Sequence, residues 1–397
     1  MSIETAVTEI RGKLVTTGES VLIELEGGRI AKISPSSQQE PDNDELWIAP
    51  GLIDLQINGY AGYDVNLSDS SMEERIETIR LMVDKVLASG VTSFCPTIIT
   101  ASYEQIHDTL TALRLACERY VVVDETIVGI HMEGPYLSDQ DGPRGAHPKE
   151  HIRDPEWTEF TNWQHASGGR IRVVTIAPER SGALAMIREL AREGILVCIG
   201  HTAATHEEIA AAVDAGARMS THLGNAAHLQ LPRHPNYIWS QLSEDRLSAS
   251  IIADGHHLHP SVVKVIARVK QDRLVLVSDA VHLAGMKAGI YKTHVGGEVE
   301  LLPSGRLQMA ANPLMLAGAA VSLSECVQCF MRFTGAELSE AIRMATLKPA
   351  HLLGEQQIGA IEAGYWADLI LFARDKSEGR ISIRSVIKRG KQVHNIQ

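Results

Sequence analysis

Cysteine is scarce: five residues (Cys95, Cys117, Cys198, Cys326 and Cys329) in 397, an odd number without the spacing of a disulfide framework. Cys326 and Cys329 form a C-x-x-C, but no second pair completes a zinc site, and the apolar stretch Ala317 to Phe333 around them predicts a buried helix. Positive charge is also short. Against 49 Asp+Glu there are 37 Lys+Arg, a net charge of −12 at pH 7, which argues against a nucleic-acid or anionic-membrane surface. No run approaches the roughly 18 apolar residues of a transmembrane helix. Met1 to Lys13 lacks the apolar core of a signal peptide, so a cytoplasmic, reduced protein is expected. A nucleotide-binding loop is missing too, with no G-x-G-x-x-G or Walker sequence after the first central strand.

What is present is an ordinary globular composition, 44% hydrophobic and 22% charged, with 17 His as its unusual feature. The first fifty residues, including "GKLVTTGESVLIELEGGRIAKISP", read as short strands broken by turns, and "GAIEAGYWADLILFARD" and "ISIRSVIKRGKQVHN" near the end have the same character. Between them a strand-then-helix rhythm repeats. Ser71-x-x-Glu74 and Thr205-x-x-Glu208 are capping boxes that open helices stopped by Gly90 and Gly216. Short apolar runs between such helices read as buried parallel strands: Leu52–Asn58, Val91–Ile98, Ile127–Glu133, Ile171–Ala177, Leu196–His201, Arg218–His222, Ser248–Asp254 and Leu274–Asp279. Eight βα units predict a (β/α)8 TIM-type barrel over residues 51–354, with a small β-sandwich domain assembled from residues 1–50 and 355–397. A doubly wound sheet is the alternative, and it would want the phosphate loop that is missing.

Several of these strands end in polar groups: His131-Met-Glu133, Gly200-His201, Thr221-His222 and Ser278-Asp279. In a barrel, C-terminal strand ends share one rim, so these residues converge despite their distance in sequence. Two neutral imidazoles and a carboxylate suit Zn²⁺ or Fe²⁺, with positions left open for water and substrate. Asp279, ionised at neutral pH, is placed to take a proton and return it to a leaving group. Taken singly, each His also fits a core histidine satisfied by a hydrogen bond.

These residues in this order resemble the amidohydrolase superfamily and, within it, the N-acetylglucosamine-6-phosphate deacetylase family. The matching stretches are "PGLIDLQINGYAG" from Pro50, "HMEGPYLS" from His131, "GHTAAT" from Gly200, "THLGNAAHL" from Thr221, "ADGHHLHP" from Ala253, "VSDAVHLAG" from Val277, "LAGAAVSL" from Leu316 and "GAIEAGYWADLILF" from Gly359. The resemblance runs nearly end to end. It implies Glu133, His201 and His222 as ligands of one divalent transition metal, Zn²⁺ first and Fe²⁺ second, and Asp279 as the catalytic acid/base. It implies His147, next to Ala146 in "RGAHP", as the residue that polarises the scissile carbonyl. Asn225, Ala226, Arg233, His257 and the segment Leu316, Ala317, Gly318 match positions that hold the sugar phosphate. Where many amidohydrolases carry His-x-His on strand one, this chain has Gln56-Ile57-Asn58, and strand four ends in Ala177-Pro178-Glu179 without the bridging lysine of dihydroorotase-like enzymes. Both absences favour a single metal.

The expected activity is hydrolysis of the N-acetyl amide of N-acetylglucosamine-6-phosphate to glucosamine-6-phosphate and acetate, in amino-sugar catabolism, by a homodimer. One departure bears on the substrate: the family usually reads T-H-L-aromatic-N-A-M where this chain has Gly224 and Ala227. N-acetylgalactosamine-6-phosphate or another N-acyl hexosamine, a different single-metal amidohydrolase reaction, and a non-catalytic structural barrel are the rival readings.

Overall fold

A computed structural model describes residues 5–36, 46–67, 70–293, 297–375 and 380–395. At its centre eight parallel strands follow one another in sequence order. They are numbered β1 (Leu52–Ile57), β2 (Val91–Ile99), β3 (Ile130–Glu133), β4 (Ile171–Ile176), β5 (Leu196–Ile199), β6 (Met219–Ser220), β7 (Ser248–Ile252) and β8 (Leu274–Val277). A parallel bridge between Ile57 and Ala280 joins the two edge strands. With helices alternating between strands, this is the TIM-type barrel that the strand–helix rhythm predicts.

Alternation along the strands fills the barrel. Ile53 and Leu55 of β1, Cys95 of β2, Val173 of β4, Cys198 of β5, Met219 of β6 and Val275 and Val277 of β8 share one buried cluster. The outer faces belong to a larger cluster against the helices. Met72–Ala88 shows why a helix forms there. Ser71 and Glu74 complete the capping box, Ile76, Ile79, Val83 and Val86 repeat on one buried face, and Gly90 leaves the helix at φ +91°. Thr205 and Glu208 open His206–Ala215 in the same way, and Gly216 follows at φ +131°.

Both ends of the chain enter one eight-stranded sheet, in the order Thr5–Ala6, Lys391–Asn395, Ile381–Lys388, Leu369–Arg374, Trp47–Pro50, Glu9–Leu14, Ser20–Glu26 and Arg29–Pro35. It has its own apolar cluster, including Ile23, Ile30, Ile48 and Leu369. A buried ion pair anchors this sheet to the barrel. Lys388 Nζ lies 2.7 Å from Asp368 Oδ2 and 3.4 Å from Ser93 Oγ of β2, and Asp368 Oδ1 accepts the Arg389 N–H at 2.8 Å.

Two features differ from expectation. The helix around the C-x-x-C is Leu323–Thr334, not the whole stretch from Ala317, because the capping box of Ser322 and Glu325 sets its start. Gly289–Thr293, Gly297–Leu301, Leu307–Met309 and Asn312–Leu316, outside the eight expected strands, form a four-stranded antiparallel sheet inserted after β8. Among the described residues, no helix is long and apolar enough to cross a membrane.

Candidate active site

The rim formed by the C-terminal ends of the strands gathers the polar strand ends. Glu133 closes β3, His201 lies just past β5, His222 just past β6 and Asp279 just past β8. Three of them, His201 (φ 49°), His222 (φ 29°) and Asp279 (φ 50°), hold the left-handed backbone that non-glycine residues rarely adopt. The surroundings compensate for that cost. His222 N–H donates to Ser250 Oγ at 2.8 Å, Ser138 N–H donates to the His201 carbonyl at 2.9 Å, and Asn58 Nδ2 donates to Asp279 Oδ1 at 2.8 Å.

Glu133, His201 and His222 point three donor atoms at one spot. Glu133 Oε1 lies 3.0 Å from His222 Nε2 and 3.3 Å from His201 Nε2, and the two Nε2 atoms are 3.1 Å apart. A tetrahedral ion with bonds of about 2.0–2.1 Å requires donors separated by about 3.3 Å. His201 Nδ1 donates to the Pro143 carbonyl at 2.9 Å, which leaves Nε2 as the lone-pair nitrogen facing the other donors. The donor set and its spacing fit a divalent transition metal. Glu133, His147 and His201 also form a group of potential ligands, with donor atoms within 4.8 Å of one another.

Electrostatics match this packing. Burial opposes the charge on Glu133, but the adjacent imidazoles of His201 and His222 outweigh it and hold the carboxyl well below the usual carboxylate range. Burial, and then the charge of Glu133, pushes Asp279 up to about 6. Burial and the neighbouring His201 lower His147 to about 3, so its imidazole is neutral. His147 Nδ1 receives Thr100 Oγ1 at 2.9 Å and the Thr100 N–H at 3.4 Å, an arrangement that puts the ring proton on Nε2.

The strand-one amides are tied to these groups. Gln56 Nε2 donates to Glu133 Oε1 at 2.9 Å, so the side chain standing where an imidazole would ligate is a donor to the carboxylate. Asn58 Oδ1 is buried without a hydrogen-bond partner among the described residues. Below them Asp54 accepts backbone N–H groups of Gln56 and Ser278 at 3.2–3.3 Å.

The remaining expected residues divide into two groups. Gly145, at φ +60°, brings the 139–147 loop over His201: an added Cβ would stand 3.1 Å from His201 Cε1 and 3.9 Å from Ala226 Cβ. That approach places Ala146, exposed, and His147, buried, beside His201 and Ala226. Asn225 Nδ2 donates to the His222 carbonyl at 3.1 Å. Gly318 packs on Val281, and Ala319 bridges Ala280, so Leu316, Ala317 and Gly318 run up beside the end of β8. His257 lies near enough to Asp279 to act on it electrostatically. Arg233, by contrast, is exposed and makes no hydrogen bond or ion pair with the described residues, and nothing ties it to the cluster. Gly224 sits at φ +97°, where an added Cβ would meet Leu258 Cδ2 at 3.0 Å, so the loop after His222 is shaped around a glycine.

His131, also at the rim in sequence, is a core histidine. Its Nδ1 donates to the Leu55 carbonyl at 3.1 Å, and its Nε2 lies 2.7 Å from Thr175 Oγ1. The sequence reading missed Thr100, although it is the polar end of β2 and so carried the same rim signal. It also missed the Pro143 carbonyl, which has no side-chain signature to find.

Comparison with known proteins agrees with this geometry. Residues 47–393 match the amidohydrolase family. The chain is 33% identical to an N-acetylgalactosamine-6-phosphate deacetylase of Escherichia coli O157:H7, covering 91% of this chain and 94% of that one. It is 35% identical to an N-acetylglucosamine-6-phosphate deacetylase of Bos taurus, over 82% of this chain and 79% of the other. A crystal structure of the Mycobacterium smegmatis N-acetyl-D-glucosamine-6-phosphate deacetylase superposes with a TM-score of 0.84 at 27% identity, covering 98% of this chain and all of that one. Barrel topology, rim residues and these likenesses lead to one assignment: the chain belongs to the amidohydrolase family.

Proposed function

We propose that the chain removes the acetyl group from an N-acetylhexosamine 6-phosphate, with N-acetylglucosamine-6-phosphate as the first substrate, giving glucosamine-6-phosphate and acetate. The observation that carries this reading is the convergence of Glu133 Oε1, His201 Nε2 and His222 Nε2 within 3.0–3.3 Å, beside the half-buried carboxyl of Asp279. These three are the proposed ligands of one divalent metal, with Zn²⁺ first. His147 is the weaker candidate because its Nδ1 accepts from the Thr100 N–H, which leaves the ring proton on Nε2 and no lone pair for the ion. When bound, the ion supplies Lewis acidity, making water nucleophilic near neutral pH and drawing charge from the acyl carbonyl.

The side chains supply the rest. Asn58 holds Asp279 Oδ1, leaving Oδ2 to take the proton from the attacking water and pass it to the departing amine nitrogen. His147, neutral and protonated on Nε2, donates to the carbonyl oxygen as negative charge develops there. One such donor is worth roughly 3–4 kcal/mol of barrier. Arg233 and His257 are assigned to the substrate, with the guanidinium suited to bidentate contact with phosphate. A homodimer in the cytoplasm completes the proposal.

N-acetylgalactosamine-6-phosphate is the second substrate considered, because the Escherichia coli relative that is 33% identical over 91% of this chain carries that activity in its name. The test is acetate release from N-acetylglucosamine, N-acetylgalactosamine, their 6-phosphates and N-acetyl amino acids, with Zn²⁺ added. Turnover of a phosphorylated hexosamine at a kcat/KM well above that of its unphosphorylated form supports the reading. Turnover of N-acetyl amino acids alone would sink it.

A further inference from the structure

Two consecutive histidines after β7 have different partners. His256 Nε2 lies 3.1 Å from the Ser304 carbonyl of the inserted-sheet region. His257 Nδ1 lies 2.7 Å from Asp254 Oδ2. Asp254 is buried, and its other oxygen accepts the N–H groups of His256 at 2.8 Å and His257 at 2.9 Å. One carboxylate therefore shapes the turn with Oδ1 and holds an imidazole with Oδ2. Burial works against charge on Asp254, but the bond to His257 outweighs it and keeps the carboxyl below its ordinary range. An ionised carboxylate can only accept, so the His257 proton in this bond sits on Nδ1. In the neutral ring the lone pair is then on Nε2.

We propose that Asp254 is a positioning residue for substrate: it fixes His257 as the Nδ1–H tautomer, so that the Nε2 lone pair receives a hydrogen bond from a sugar hydroxyl. The proposal rests on the deacetylase reading for the identity of the sugar. It separates the work of two residues otherwise grouped together on the substrate. Arg233 suits the phosphate, which only accepts, whereas His257 in this tautomer suits a group that donates. The anchor is a buried carboxylate holding a half-buried imidazole, the arrangement that elsewhere fixes the ring tautomer of functional histidines.

Asp254→Asn tests it. The carboxamide keeps an oxygen for the two backbone N–H groups but presents an NH₂ to the ring. Nδ1 must then accept, and the ring proton moves to Nε2. In ¹⁵N-histidine spectra of the metal-loaded protein, the expected result is an Nδ1–H signature for His257 in wild type and an Nε2–H signature in the variant. KM for N-acetylglucosamine-6-phosphate should rise at least tenfold, with a smaller fall in kcat. In a His257→Ala background the same substitution should change KM by less than twofold. An Nε2–H signature in wild type overturns the proposal whether or not the variant folds. So does a switched tautomer with KM unchanged, or an equal loss in the His257→Ala background, which marks a purely structural role. Wild-type protein that hydrolyses no N-acetylhexosamine phosphate contradicts the deacetylase reading instead, and the tautomer readout stands apart from that result.

Discussion

Asn58 Nδ2 donates to Asp279 Oδ1 at 2.8 Å across 221 residues of sequence, tying the end of β1 to the end of β8 where the barrel closes. The same strand-one segment donates from Gln56 to Glu133. Positions that could carry imidazoles instead hold two carboxylates in place by amide hydrogen bonds. Removing the proposed proton carrier while keeping its shape is the direct check. Asp279→Asn should lower kcat roughly 10²–10⁴-fold with bound metal at the wild-type level. The pH dependence follows from the raised pKa: the base form is lost below about 6, so kcat/KM should fall as pH drops through that value. A variant with near wild-type kcat would remove Asp279 from the chemistry.

With the proposed ligand set, metal retention depends on three donors that no single element supplies. His222→Ala leaves two of the three donors, and a chelator should strip the variant at concentrations that spare wild type. Elemental analysis after dialysis reads this directly. Equal metal content in wild type, His222→Ala and Glu133→Gln would show that the ion is held elsewhere.

Asp54 gives a pH-dependent stability prediction with a defined sign. Burial raises its pKa from 3.8 to about 7 despite hydrogen bonds from Ser278 and Gln56. Between these values the folded state binds more protons than the unfolded one, so this group lowers stability as pH rises through the window. Asp54→Asn keeps an acceptor without the charge. It should be more stable than wild type at pH 8, by on the order of 2–4 kcal/mol, with the advantage shrinking towards pH 4. Urea melts at several pH values measure it, and a pH-independent difference would contradict this account.

The pair of Lys388 and Asp368 is almost wholly withdrawn from water, each side chain 2% exposed. Deleting one partner strands a buried charge, at a cost of about 3–5 kcal/mol. Asp368→Ala should therefore be among the most destabilising changes in the terminal sheet. A double change to apolar residues of similar volume should recover most of the loss in a denaturant melt.

Arg233 is exposed and unpaired among the described residues, so its assignment depends on substrate. Arg233→Ala should raise KM for the 6-phosphate substrate and leave thermal stability within the ordinary range of a surface change, about 0.5 kcal/mol. Unchanged KM would end its role.

Much of this site was legible because barrels make strand ends meet. Glu133, His201, His222 and Asp279 could be grouped from sequence alone, since each follows an apolar run that is a strand. His131 satisfied the same pattern and is a structural residue, because Leu55 and Thr175 lie within reach of its ring, and no linear pattern shows that. The two β-rich flanks were recognisable from alternation, but their pairing into one sheet rests on contacts between opposite ends of the chain. The inserted sheet after β8 escaped notice because it breaks the strand–helix rhythm, and its outer strands expose Ile290, Leu314 and Met315, so they show no alternation of buried apolar and exposed polar residues. Pro143 acts through a backbone carbonyl, and such a support carries no motif of its own.

The central claim is metal-dependent deacetylation by the cluster of Glu133, His201 and His222. The most direct test is a titration of metal-free protein with Zn²⁺, following acetate release from N-acetylglucosamine-6-phosphate. The account predicts no release without metal, activity rising to a plateau at about one ion per chain, and no such rise in His222→Ala. Full activity in the metal-free protein, or a plateau that needs two ions, would contradict it.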